Sequence, residues 1–162
     1  RQYKMRMFEY THCLFLKFFD KIVLRKELYS VVEELDYLVV LVPLDSETIR
    51  LVDERVFSVM KRTAYLINVA RGGVVDENAL ISALNNGDIA GAGLDVFEQE
   101  PPKDNPLTKL DNIILTSHAA YYSDPALEAL AVRCGQEVAR VLTGKVPMHL
   151  VNKDVLSKLK LQ

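Results

Sequence analysis

Apolar residues fall into short runs separated by stretches of helical spacing, and from residue 26 onward the alternation is regular. Lys26 to Leu35 is spaced as a helix, and Tyr37 to Val42 is a near-continuous apolar run ending at Pro43. Such a run predicts a strand buried on both faces. The pattern then repeats. Val52-Asp53-Glu54 opens a helix carrying Val56, Phe57, Val59 and Met60, and Ala64 to Val69 is the next strand. Asp76 is placed to cap a helix through Leu84 that Asn85-Asn86-Gly87 stops, and Ile89 to Val96 and Asn112 to Thr116 are two further strands. A last helix follows, with Asp124 as its cap, Pro125 in its first position, an apolar face from Leu127 to Leu142, and Gly144 at its end. Before residue 26, Lys4 to Tyr10 and Lys21 to Leu24 read as strands around a segment without clear period. Helix and strand in repeated alternation predict an α/β fold with a parallel sheet and right-handed crossovers.

Composition narrows the class. With 162 residues, 49% hydrophobic and 26% charged, the chain is long enough for one buried core. A net charge of -2 with both signs interspersed gives no basic stripe for nucleic acid, and the apolar stretches are too short to span a membrane. Cys13 and Cys134 stand alone, which suggests neither a disulfide framework nor a metal site and fits a reducing, cytoplasmic setting.

Candidate chemistry lies where the strands end. Arg71, Glu100 and His118 follow three successive strand-like runs, within NVARGGVVDENAL, AGLDVFEQEP and NIILTSHAAYYSD. In a parallel sheet the carboxyl ends share one edge, so the three converge on one crevice. A cation, a carboxylate and an imidazole together suit proton transfer coupled to recognition of a carboxylate or carbonyl. Each has an ordinary reading by itself: a solvated turn arginine, a surface acid beside a proline turn, a packing histidine. Their joint occurrence, in order, favours the functional one.

These motifs, from about Leu35 to Asn152, resemble the D-isomer-specific 2-hydroxyacid dehydrogenases, in which a Rossmann domain is paired with a substrate domain. LDYLVVLVPLDSET resembles the family's strand and cofactor loop, and HAAYYSD with the helix after it is most similar to the branch of C-terminal-binding-protein corepressors, with Tyr121 where those have Trp. The resemblance implies that Arg71 holds the substrate carboxylate, that His118 transfers the proton, and that Glu100 is the acid beside it, favouring the imidazolium. It implies cofactor contacts at Val42, Pro43, Leu44, Thr48, Val69, Ala70, Arg71, Asp95, His118 and Ala120, with Asp95 receiving the nicotinamide carboxamide. Arg71, His118 and Tyr121 would line the substrate pocket. The implied cofactor is NAD, the substrate a small 2-hydroxy or 2-keto acid, and the intact protein a homodimer.

Departures from the family pattern bear on function. No glycine occurs in residues 1–71, so the GxGxxG phosphate loop is missing. KMRMFEY then corresponds to the family's second strand. The expectation is a partial Rossmann-type doubly wound sheet lacking its first strand, over residues 1–150, with a tail at 151–162 directed to a substrate domain that is largely absent. Thr11 and His12 stand where the family presents an acid to the adenosine ribose, which leaves NADP open beside NAD. Ser117 replaces the proline that precedes the histidine in many relatives. The leading function is a segment of an oxidoreductase; the alternatives are a non-catalytic corepressor-like module that senses NAD(H) or dimerises, and an inactive truncated product.

Overall fold

The computed structural model describes residues 27–158, together with the backbone of Arg6–Phe8 and Lys21–Val23. Thr11, His12 and Cys13, and the rest of the Lys4 to Tyr10 and Lys21 to Leu24 runs, lie outside the described residues. The chain divides into two compact units, Arg1–Ala120 and Tyr121–Gln162.

In the first unit, β1 (Arg6–Phe8) and β2 (Lys21–Val23) pair in parallel with each other. A second sheet holds β3 (Tyr37–Val40), β4 (Tyr65–Asn68), β5 (Gly91–Leu94) and β6 (Ile113–Leu115), all parallel and adjacent in sequence order. Between them run α1 (Leu28–Val32), α2 (Glu54–Val59) and α3 (Glu77–Asn86). The helix starts follow from their caps. Asp53 accepts from the Val56 amide and Asp76 from the Ala79 amide, each satisfying a donor that the first turn cannot pair internally. Gly87 ends α3 at φ 69°, a left-handed conformation that glycine adopts without steric cost.

The core occupies one face of the larger sheet. Leu38, Val40, Leu66, Ala92 and Leu94 pack with Leu28, Val32, Val56, Phe57, Leu80 and Leu84 from the helices. The opposite face corrects the expectation that the Tyr37 to Val42 run is buried on both sides. Val39 is 48% exposed, Leu41 71% and Ile114 73%, while Leu38 and Val40 are buried. Side chains alternate across a strand, and the described helices of this unit all serve the Leu38 face. Tyr37 and Tyr65 stack on the open face with ring centroids 5.8 Å apart.

The second unit is built on α4 (Asp124–Leu142). Ser123, not Asp124, caps it by accepting from the Ala126 amide, and Pro125 follows in the first turn. Asp124 thus sits inside the helix start, where its charge complements the dipole. No residue of α4 is buried. Among the described residues no helix is long and apolar enough to cross a membrane.

Candidate active site

The carboxyl ends of β4, β5 and β6 lie side by side, and each continues into a loop bearing one of the three predicted residues. Asn68, the last residue of β4, is buried at 1% exposure and folds the turn that carries Arg71. Its Oδ1 accepts from the Ala70 amide at 3.0 Å, and its Nδ2 donates to the Arg71 carbonyl at 3.0 Å. Arg71 itself is exposed, with Nη1 donating to the Ala70 carbonyl at 2.6 Å. A planar guanidinium on a fixed backbone can present its remaining donors to a carboxylate as a fork.

After β5 the chain runs through buried Asp95, Val96 and Phe97 before turning outward at Glu98. Glu100 folds back, accepting from the Phe97 amide at 3.1 Å through Oε1 and pairing with His118 Nδ1 at 2.8 Å through Oε2. The His118 hydrogen bond, followed by that from Phe97, holds the Glu100 carboxyl below its ordinary pKa; partial desolvation opposes this, and the charges of His118 and Arg71 add to it. His118 and Arg71 therefore both act on the Glu100 carboxylate.

His118 follows β6 with φ 54°, left-handed for a residue with a Cβ, at a cost of about 1 kcal/mol or more. Asp95 sustains that geometry. Its carbonyl accepts from the His118 amide at 2.8 Å, and its carboxylate accepts from the Ala119 amide, the Ala120 amide (2.8 Å each) and the Thr116 hydroxyl. Burial alone would raise the Asp95 carboxyl, yet the hydrogen bonds from Thr116, Ala119 and Ala120, with the charge of His118, outweigh it and keep the pKa below its ordinary value. Because Glu100 occupies Nδ1, the neutral imidazole carries its proton there and leaves Nε2 to exchange one.

The other predicted positions divide by accessibility. Pro43 and Leu44 are exposed, Val42 and Val69 half-buried, Ala70 buried and Ala120 exposed. Leu44 lies over Gly73, with Cδ2 3.2 Å from where a Cβ would stand. Thr48 is fully buried, and its hydroxyl donates to the Pro43 carbonyl at 2.6 Å and accepts from the Asp45 amide at 2.8 Å. That engagement gives Thr48 the work of shaping the loop. Tyr121 belongs to the second unit, where its ring centroid lies 6.3 Å from that of Tyr122. Sequence reasoning misses Asn68, whose amide folds the arginine turn, and Thr116. A polar residue ending an apolar strand run is the available signal for both.

Comparison with known proteins identifies the family and the fold. Residues 5–120 match the family model described as D-isomer specific 2-hydroxyacid dehydrogenase, NAD binding domain. The glyoxylate reductase of Thermofilum pendens is 48% identical over 131 residues, covering 80% of this chain and 39% of that protein. The glyoxylate reductase of Pyrococcus horikoshii is 47% identical over 131 residues, with 81% and 39% covered. The chain thus spans about two-fifths of the length of these curated relatives. Among solved structures, the NADPH-dependent glyoxylate/hydroxypyruvate reductase of Sinorhizobium meliloti with NADP and malonate is similar at a TM-score of 0.76 and 35% identity, covering 88% of this chain and 44% of that one. The NAD complex of a D-isomer specific 2-hydroxyacid dehydrogenase from Lactobacillus delbrueckii ssp. bulgaricus also has a TM-score of 0.76, at 29% identity, with 92% and 48% covered. A matched sequence over most of the chain, the parallel sheet and the strand-end motifs in their order place the chain in the D-isomer specific 2-hydroxyacid dehydrogenase family, with residues 5–120 matching its NAD-binding domain.

Proposed function

We propose that this chain is the catalytic-edge segment of an oxidoreductase that moves a hydride between a nicotinamide cofactor and a small D-2-hydroxy or 2-keto acid. The observation that carries the reading is the 2.8 Å pair of His118 Nδ1 and Glu100 Oε2 on the sheet edge that also bears Arg71. Arg71 binds the substrate carboxylate and polarises the adjacent carbonyl with its fork of donors. His118 takes the hydroxyl proton at Nε2 in oxidation and returns it in reduction. Glu100 holds the ring by Nδ1 and stabilises the imidazolium that forms.

The residues present fit the nicotinamide end of a cofactor. The Asp95 carboxylate accepts three hydrogen bonds within the chain, one of them at Oδ2, and a carboxylate has about four acceptor positions, so Oδ2 retains capacity for a carboxamide N–H. Exposed Leu44 and half-buried Val69 are the apolar positions we assign to the same cofactor. A nicotinamide bound there contributes the hydride. The phosphate end is different, because residues 1–71 hold no glycine-rich loop. The chain alone is accordingly proposed to bind NAD(H) weakly and to depend on the family's upstream half for turnover, with NAD or NADP as the cofactor and a homodimer as the assembly.

The test joins this chain to the upstream half of the Thermofilum pendens relative and follows nicotinamide absorbance with glyoxylate and with hydroxypyruvate. Reduction of either acid is the expected result. A folded chimera that binds NADH and reduces neither would overturn the reading.

A further inference from the structure

Glu100 lies along an outward excursion of the chain, Glu98 to Asn105, in which most residues are exposed. Within it the backbone makes few bonds of its own. The Lys103 amide closes a local turn on the Pro101 carbonyl at 2.9 Å, and Glu100 reaches its own neighbour Phe97. What ties the excursion down comes from elsewhere. Glu77, the first residue of α3, accepts from the Glu98 amide through Oε1 and from Asn105 Nδ2 at 2.8 Å through Oε2. One carboxylate thus holds both ends of the loop that presents Glu100. Asn105 is committed in turn, because its Oδ1 accepts from the Leu107 amide at 3.0 Å and orients the NH2 group toward Glu77.

A second contact acts on the same peptide. A Cβ built on Gly72 would stand 1.9 Å from the Phe97 carbonyl carbon and 2.3 Å from the Glu98 nitrogen. Only a residue without a side chain lets the Phe97–Glu98 peptide lie this close. Glu77 and Gly72 both belong to the stretch Arg71-Gly72-Gly73-Val74-Val75-Asp76-Glu77, so the segment that carries the cation also seats the loop that carries its acid neighbour.

We infer that Glu77, together with Gly72, is a positioning residue for Glu100: it clamps the 98–105 loop against the Arg71 segment and so fixes the carboxylate that orients His118. The inference rests on the dehydrogenase reading for its functional meaning, but the clamp is a property of this chain without cofactor or substrate. Other charges at the clamp are peripheral. Arg50, whose side chain is 56% exposed, lies 3.6 Å from Asp76 and 3.9 Å from Glu98, a range in which exposed pairs contribute little.

The experiment uses the full chain and two variants, Glu77→Ala and Glu77→Gln, with the Glu100 carboxyl titrated by carbon NMR and the His118 Nδ1 proton observed directly. In the wild type Glu100 titrates below its ordinary value. Glu77→Ala should move that midpoint up toward the ordinary value and remove the hydrogen-bonded Nδ1 proton signal. Glu77→Gln keeps one acceptor for the Glu98 amide and loses the second, so it should fall between the two; it also carries the test if the alanine variant does not fold. In the chimera, a Glu100 displaced by about 1 Å would lower kcat by up to about a hundredfold, with KM for the cofactor unchanged. Variants that are folded and merely less stable, with the Glu100 midpoint and the Nδ1 signal unmoved, would overturn the inference. A clamp that behaves as described in a chimera without turnover would instead refute the dehydrogenase reading and leave the clamp standing.

Discussion

Replacing Asp95 by Asn exchanges one carboxylate oxygen for an NH2 group at a position that is 4% exposed. The carboxylate accepts from Thr116 and from the Ala119 amide at Oδ1, and from the Ala120 amide at Oδ2. The Asn side chain has one acceptor oxygen. Placed at Oδ1 it keeps Thr116 and Ala119 and turns an NH2 toward the Ala120 N–H; placed at Oδ2 it keeps Ala120, lets the Thr116 hydroxyl rotate to accept, and orphans Ala119. Either way one backbone donor faces another donor. An unpaired donor in a buried setting costs about 1–3 kcal/mol, and the surviving bonds lose their charge assistance. The predicted loss at neutral pH is therefore about 2 kcal/mol, read from urea unfolding followed by circular dichroism. The sign with pH also follows. The folded-state pKa of Asp95 is depressed, so its contribution is fully present above the unfolded carboxylate value near about 4 and is lost as pH falls through the lower folded value. The gap between wild type and Asp95→Asn should thus be full at neutral pH and close below about pH 4. Hydrogen exchange localises the effect, with faster exchange at His118, Ala119 and Ala120. Equal stability at neutral pH with unchanged protection of these amides would refute the reasoning.

Two other outcomes follow from the same structure. In the chimera, Arg71→Lys replaces a fork by a point charge and should raise KM for the keto acid by about tenfold or more, the equivalent of one charged hydrogen bond, in steady-state kinetics; an unchanged KM would place the carboxylate elsewhere. The open sheet face should drive self-association of the isolated chain, and Val39→Lys combined with Ile114→Lys, both at exposed positions, should shift it toward monomer in size-exclusion chromatography with light scattering. A wild-type chain that stays monomeric at the same concentration would contradict this.

Much of the site is legible in the amino-acid sequence, and the reason is topological. Once the runs ending at Val42, Val69, Val96 and Thr116 are read as parallel strands, the residues just after them must share an edge, and Arg71, Glu100 and His118 follow without knowledge of side-chain packing. The cap Asp76, and the helix opening at Asp53, are legible because capping is decided within three residues. What escapes depends on long-range partners. The apolar run Tyr37 to Val42 cannot report that the described helices of its unit pack on its Leu38 and Val40 side, since periodicity identifies a strand and not the elements packed on it. Glu77 reads locally as a favourable acid in a helix's first turn; its grip on Glu98 and Asn105, 21 and 28 residues away, has no local signature. Ser123 and Asp124 are both good caps, so the sequence points to the wrong one of the pair; the choice depends on where the first turn begins.

The central claim is that His118, oriented by Glu100 on the edge that bears Arg71, carries the proton. The most direct measurement is single-turnover and steady-state reduction of glyoxylate by the chimera with His118→Ala beside the wild type, with NADH affinity determined in parallel. A general acid of this kind contributes about a hundred- to ten-thousandfold, so kcat should fall within that span while NADH binds as before. Turnover at the wild-type rate in the folded His118→Ala protein would show that another group moves the proton.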